Sequence, residues 1–208
     1  MAKVALITTG GTIASKKTAS GKLASGELSG EELAALCQLP TEIQIDIYST
    51  FQLPSMHITL PDLISLKQLI ESIFMDETYD GIVVTHGTDS LEETAYFLDL
   101  AVTDARPIVV TGSQRAPEEP GTDAYVNIRH AIYTACEINL RQAGTVVVFN
   151  ERIFAARYVK KSMHLTYKVL VLLGLVILVS LIMIKFSCIK NHWSMSVLIF
   201  ALIYQKLL

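Results

Sequence analysis

The sequence predicts an α/β domain built on a doubly wound, mostly parallel sheet with flanking helices. Three observations carry that expectation. Short apolar runs of strand length alternate with stretches of helical periodicity. The runs at Val4–Ile7, Gly81–Val84 and Pro107–Val110 each lead directly into a turn. Those turns share one composition: Thr9-Gly10-Gly11-Thr12, Thr85-His86-Gly87-Thr88-Asp89 and Thr111-Gly112-Ser113-Gln114-Arg115. Parallel strands bring such turns to one edge of the sheet, where open α/β sheets bind ligands.

Taken in order, Val4-Ala5-Leu6-Ile7 is a buried strand ending in a glycine-tight turn that carries hydroxyls, Thr8 to Ser15. Lys16 to Ser29 is rich in Gly, Ser, Lys and Thr and reads as a long loop, a common place for a lid. Ser29-Gly30-Glu31-Glu32 fits a capping box and opens a short helix through Cys37. Ile43 to Tyr48 alternates like a strand, and Phe51 to His57 reads as a loop. Thr59-Leu60-Pro61-Asp62 starts a helix whose apolar stripe is Leu63, Leu66, Leu69, Ile70 and Ile73. The strand from Gly81 is followed by a helix with Leu91, Ala95, Leu98 and Leu100 as candidate core residues. After the strand at Pro107–Val110, Thr122 to Leu140 reads as helical and Gly144 to Phe149 as a further strand.

Charge divides the chain in two. The first 161 residues hold all 20 acidic residues and 13 of the 17 basic ones, a net charge of −7. Residues 162–208 hold Lys168, Lys185, Lys190 and Lys206 and no acid. An acidic body argues against a nucleic-acid binder held by phosphate contacts. Neither a dinucleotide Gly-x-Gly-x-x-Gly nor a Gly-Lys-Ser/Thr phosphate loop occurs. Cys37, Cys136 and Cys188 are far apart, so they suggest neither a zinc site nor a disulfide framework. Cys37 and Cys136 read as core thiols of a reduced, cytoplasmic body. Met1-Ala2-Lys3 runs directly into a strand without a signal-peptide pattern.

The turns carry chemistry. A threonine hydroxyl is a weak nucleophile until a base takes its proton. Thr12 has no acid or base in its own turn, whereas Thr88 has the Asp89 carboxylate beside it. A desolvated, neutral lysine can serve as the base, and Lys160 and Lys161 stand later in the chain. A hydroxyl, a base and amide-rich turns are the parts needed for acyl transfer on an amide.

At this point a resemblance is evident. Thr9-Gly10-Gly11-Thr12-Ile13-Ala14-Ser15 and Gly81 to Ser90 resemble the two signature segments of the bacterial L-asparaginase/glutaminase family. Val110 to Arg115 and Asp123 to Asn127 match in place and order, and the likeness runs from about residue 3 to Lys161. It implies a Rossmann-like, flavodoxin-like N-terminal domain over 1–161. It also implies an amidohydrolase converting L-asparagine, or L-glutamine, to the acid and ammonia. Thr12 would be the nucleophile. Thr88, Asp89 and Lys161 would form a second hydroxyl–carboxylate–amine group, and Asp89 would also hold the substrate's α-amino group. Ser55 and Ser113 would be further substrate contacts. Backbone N–H groups of the two turns would stabilise the oxyanion. The resemblance implies no metal or organic cofactor, and a homo-oligomer in which a neighbouring subunit's C-terminal domain completes the site. Asp89 is also expected to cap a helix, His86 to be structural, and Lys160 to be a solvated charge. Two positions depart from the family pattern. Leu23 stands where many members have a loop tyrosine, and Leu53 stands three residues before Met56, where members often have a serine.

The tail, 162–208, is a separate matter. Val169 to Ile184 has no charged residue, and 167–186 has the length of a transmembrane helix. A C-terminal membrane anchor on a non-catalytic amino-acid-binding module is the alternative function, and stable membrane insertion of 167–186 would be its signature. The preferred expectation is out-of-frame translation after Lys161. Read one base late, Met163 and His164 force an alanine codon and Met183 forces an aspartate. Within Met163–Leu170 and Leu175–Lys185 most of the other codons permit a family-like continuation, with glutamine the reading at Lys168 unless that codon is a stop. On that account the product lacks the completing domain and has little activity. Sequencing the gene from the codon for Ala155 onward tests this: restoring one base must open a long family-like frame.

Overall fold

The computed structural model describes residues 1–17, 23–24, 28–161 and 170–172. In chain order the elements are β1 (Ala2–Gly10), β2 (Lys16–Lys17), β3 (Leu23–Ala24), α1 (Gly30–Leu36), β4 (Ile43–Leu53), α2 (Leu60–Phe74) and β5 (Gly81–Thr85). There follow α3 (Leu91–Ala101), β6 (Ile108–Thr111), α4 (Ala124–Ala135), β7 (Thr145–Phe149), β8 (Arg152–Ala155), β9 (Val159–Lys161) and β10 (Leu170–Leu172). Six strands make one sheet in the order β4-β1-β5-β6-β7-β8. The first five run parallel and β8 returns antiparallel to β7. The return turn, Asn150-Glu151, has positive φ at both residues (50° and 61°), the geometry of a tight hairpin whose twist matches its strands.

The apolar strands are buried on both faces, as their continuous hydrophobicity requires. Ala5 and Ile7 of β1 and Ile82 and Val84 of β5 pack with Leu66 and Ile70 of α2 and Leu91, Ala95 and Leu98 of α3. Their neighbours Val4, Leu6 and Val83 point the other way, to Leu33 of α1 and Ile128 and Ile132 of α4. The sheet is therefore doubly wound, with α2 and α3 on one side and α1 and α4 on the other. Helix starts follow local chemistry. Ser29 and Glu32 form a reciprocal capping box at α1, and Thr59 and Asp62 form another at α2. Across the far edge of the sheet, Lys3 Nζ pairs with Asp46 at 3.2 Å and lies 4.1 Å from the centroid of the Tyr79 ring, tying β1 to β4 and to the start of β5.

Four sequence expectations are corrected. Phe51 to Leu53 belong to β4 rather than a loop, because β1 itself runs on to Gly10 and pairs with Leu53 after an irregularity between Thr8 and Gly10. Leu100 is 67% exposed; it lies two residues from Leu98, and such positions do not share a helix face. The 122–140 helix ends at Ala135, and a separate 3-10 turn, Ile138–Leu140, is opened by the Glu137 carboxylate accepting from Asn139 N–H. Ser90, not Asp89, occupies the N-cap of α3, since the Asp89 carboxylate is drawn to Lys161. Among the described residues no helix is long and apolar enough to cross a membrane. Leu170–Leu172 form a strand antiparallel to Val159–Lys161; the rest of 167–186, and most of the lid loop, lie outside the described residues.

Candidate active site

The site begins where β1 runs out. Gly10 and Gly11 have φ of 100° and 80°, a region that side-chain-bearing residues rarely enter. They swing the chain from the strand into a 3-10 turn, Thr12–Ala14. Gly11 N–H donates to Leu53 C=O (3.2 Å), and Ala14 N–H and the Ser15 hydroxyl both donate to Gly11 C=O (3.2 and 3.0 Å). Thr12 is left half-buried at the head of the turn.

The second turn, after β5, is pressed against the first. A Cβ on Gly11 would lie 2.4 Å from Gly87 N, so the two glycine backbones are in direct contact and only hydrogen fits between them. The Thr9 hydroxyl donates to Thr85 C=O at 2.8 Å and stitches the same two strand ends. Below Gly87 sits Ser55, 3% exposed. Its Oγ accepts from Asp89 N–H (3.2 Å) and its C=O accepts from the Ser90 hydroxyl (2.8 Å). His86 is fully buried. Nδ1 faces Gly87 C=O at 2.7 Å, so it must carry the proton; Nε2 then accepts from the Thr94 hydroxyl at 2.9 Å. Burial pushes this imidazole down to about 4, with the Gly87 bond opposing. His86 is thus structural, as the sequence suggested.

Lys161 closes the set from the far end of the chain. Its Nζ lies 3.2 Å from Thr88 Oγ1 and 2.8 Å from Asp89 Oδ1. The lysine side chain is 12% exposed and the Asp89 side chain 45%, so the group is rooted in protein and opens toward solvent. Glu92, in the first turn of α3, accepts the main-chain N–H of Lys161. Lys160, one residue earlier, is exposed.

The third turn, after β6, is braced from α4. Asp123 accepts from Gln114 N–H (3.0 Å) and Arg115 N–H (3.0 Å). Asn127 Nδ2 donates to Gly112 C=O at 2.9 Å. A Cβ on Gly112 would lie 2.6 Å from His86 C=O, which places this turn beside the second. Ser113 is 1% exposed and its hydroxyl donates to Arg115 C=O at 2.7 Å, so that hydroxyl is committed to its own loop. Of the residues singled out from sequence, Thr88, Asp89 and Lys161 are in mutual contact, and Ser55 lies directly beneath them. Thr12 is carried to the same edge by the Gly11–Gly87 contact. Leu23 lies in β3 opposite Lys17. Among the described residues no group of three His, Cys, Asp or Glu is placed to hold a metal ion.

Three converging strand-end turns with a lysine brought to the second of them accord with a match over residues 3–170 to the family model described as the asparaginase N-terminal domain. The chain belongs to the asparaginase family. It is 72% identical over 159 residues to an L-asparaginase of Bacillus licheniformis, covering 76% of this chain and 49% of that protein. It is 32% identical over 166 residues to a glutaminase-asparaginase of Acinetobacter glutaminasificans, covering 78% and 50%. Its structure resembles that of a probable cytoplasmic L-asparaginase from Campylobacter jejuni, with a TM-score of 0.73, 28% identity, and 82% and 51% of the two chains covered. The chain spans about half the length of the relatives it matches.

Sequence reasoning missed Glu92, and it gave no individual role to Asn127 or Ser15, which lie in the segments it singled out. An acid one turn into a helix reads as ordinary dipole complementation, and nothing local signals that Glu92 reaches residue 161. Asn127 had a weak sign, four residues after Asp123 on what is one helix face.

Proposed function

We infer that residues 1–161 are the N-terminal half of an amidohydrolase that splits the side-chain amide of L-asparagine, with L-glutamine the second substrate, in the cytoplasm. The observation that carries this is the Thr88–Asp89–Lys161 cluster, assembled from residues 72 and 73 positions apart at the same edge as Thr12. Family membership and the relatives' names support it.

In the proposed reaction Thr12 Oγ attacks the amide carbon. The carbonyl oxygen takes up the electron pair and is met by main-chain N–H groups of the two turns. Asp89 N–H is already bound to Ser55, so donors elsewhere in the turns serve. As the tetrahedral adduct collapses, the nitrogen leaves as ammonia with the proton released from Thr12, and an ester to Thr12 remains. Water then attacks that ester, returning the proton to Thr12 and releasing the acid. Lys161 and Thr88 relay the proton in each step. Nζ of Lys161 stands 3.2 Å from Thr88 Oγ1 for that transfer, and the Asp89 carboxylate at 2.8 Å orients the amine. Asp89, with nearly half of its side chain exposed, faces the substrate's α-amino group. Ser55 keeps a hydroxyl proton to donate to the substrate's carboxylate, while Ser113 contributes by fixing its loop.

Residues 162–208 we read as an out-of-frame continuation, so the reaction is proposed for 1–161 joined to the remaining half of the relatives' length. The test is ammonia release from L-asparagine by this chain alone, and after mixing with the C-terminal half of the Bacillus licheniformis relative. Hydrolysis in the mixture that disappears in Thr12→Ala supports the proposal. Undiminished hydrolysis in Thr12→Ala, or none in either preparation, rejects it.

A further inference from the structure

Lys161 is gripped twice by one helix, and only one grip belongs to the proton relay just described. At its tip, Nζ meets Thr88 and Asp89 on the turn that leads into α3. At its root, the main-chain N–H is taken by the Glu92 carboxylate, one helical turn further on. Asp89 lies just before the Ser90 N-cap and Glu92 in the first turn of α3, so the two carboxylates stand three residues apart at one helix end. A hydrogen bond from a main-chain donor to an ionised carboxylate is stronger and more directional than a neutral one. The same helix repeats the device lower down. Asp99, whose side chain is 3% exposed, accepts from Thr145 N–H at 2.9 Å and pairs with Arg157 at 3.3 Å. The stretch from Arg157 to Lys161 is therefore pinned to α3 at both ends.

We propose that Glu92 is a positioning residue for Lys161: by holding its main-chain N–H, the carboxylate fixes the distance from which the lysine reaches Thr88 and Asp89. This rests on the assignment of Lys161 to the catalytic set. A four-carbon side chain on an unheld strand end has many rotamers that miss a point about 3 Å wide. Pinning its root to the helix whose leading turn carries the two tip partners removes most of them, because both grips then move as one body. The geometry of the relay is thereby written into a single helical turn and its leading loop.

The test uses the full chain and has two readouts. The first does not depend on turnover: acetylation of surface amines by a small acylating reagent, with rates at Lys161 and Lys160 compared by mass spectrometry. Lys160 is exposed and adjacent, so it is an internal standard. In the unaltered chain Lys161 reacts about tenfold more slowly than Lys160. Glu92→Ala brings the two rates within about twofold, and Glu92→Gln, which keeps an acceptor oxygen, restores most of the difference. A ratio unchanged in Glu92→Ala overturns the proposal. The second readout is ammonia release in the reconstituted mixture: kcat falls about tenfold in Glu92→Ala with KM within about twofold, and recovers in Glu92→Gln. Equal kcat in all three overturns it. If the mixture proves inactive, the functional assignment fails, and the acetylation ratio still decides the role of Glu92. Should Glu92→Ala not fold, hydrogen exchange at the Lys161 amide in the unaltered chain decides. Exchange at least tenfold slower than at Lys160 supports the clamp, and equal exchange overturns it.

Discussion

The turn after β1 and the turn after β5 stand side by side at one sheet edge and are held in opposite ways. The first is held chiefly by main chain: Gly11 N–H on Leu53 C=O, Ala14 N–H on Gly11 C=O, Ser15 N–H on Thr12 C=O and backbone packed directly on backbone at Gly87, with one side-chain bond from the Ser15 hydroxyl to Gly11 C=O. The second has one main-chain bond of its own, His86 N–H on Thr111 C=O, and is otherwise held by side chains: Ser55 and Ser90 beneath it, His86 and Thr94 behind it, and Lys161 across its mouth. A main-chain support has no titratable group and no rotamer to lose, but it leaves no room for a β-carbon. A side-chain support tolerates small steric change and depends on the protonation and identity of its polar partners. A rigid mount under Thr12 suits a residue proposed to be acylated and released repeatedly. A polar, chemically responsive mount under Thr88 and Asp89 suits residues proposed to pass protons.

The sharpest way to break this contrast is Gly11→Ala. Its Cβ would lie 2.4 Å from Gly87 N at a φ of 80°, so the turns must separate. Chemical denaturation should show a loss of about 4 kcal/mol, and any Thr12-dependent hydrolysis should vanish. Acid comes next, and acts on the second turn alone. The folded His86 holds its proton only near pH 4, below its ordinary 6.5. As pH falls through 6.5, the unfolded chain takes up a proton that the folded chain refuses. Stability present above that pH is lost progressively down to about 4. The His86 contribution is about 3 kcal/mol. Urea titrations between pH 7.5 and 4 should show that much less acid sensitivity in His86→Gln.

Gly87→Ala is the milder steric counterpart. Its Cβ would meet Ser55 Oγ and Cβ at 2.7 and 2.8 Å, with the nearest main-chain atom, Ser55 N, at 3.2 Å. A shift of Ser55 relieves part of the overlap and loosens its bond to Asp89 N–H, so the expected loss is about 2 kcal/mol by urea denaturation. A loss equal to that of Gly11→Ala would abolish the distinction between the two mounts. Smallest is Ser15→Ala, which removes one hydroxyl bond to Gly11 C=O while leaving the main-chain bonds in place. It should cost about 1 kcal/mol in thermal or chemical unfolding, with hydrolysis by the reconstituted mixture unchanged.

What the sequence disclosed and what it withheld follow the same division. Apolar runs, the Ser29 capping box and the three hydroxyl-rich turns are local patterns, and all are present in the fold. The contact of Gly11 with Gly87, the place of Ser55 beneath Asp89 and the reach of Glu92 to Lys161 join positions 34 to 76 residues apart. No periodicity encodes them, because they arise only when β1 is flanked by β4 and β5. The same non-local pairing extends β4 over Phe51 to Leu53, where composition alone reads as a loop. At α3, a carboxylate expected to cap the helix pairs with a lysine instead, since Lys161 offers Asp89 a charged partner that the helix end does not.

The position of β1 in the sheet also bears on how the molecule comes into being. β1 is an interior strand, and both of its neighbours follow it in the chain. Ala2 pairs with Ile43 and Val4 with Gly81, so neither neighbour exists when β1 leaves the ribosome. Its run Val4–Ile7 can pair on one side only once β4 has been made, and on the other only once β5 follows. Such distant pairings must close large loops before they reward the chain, which slows folding and prolongs the exposure of apolar surface. The Thr12 turn thus precedes the segments that support it, and Lys161 is the last of the contacting set to arrive. A nascent chain of this protein carries the Thr12 hydroxyl long before Thr88, Asp89 and Lys161 are assembled at the same sheet edge.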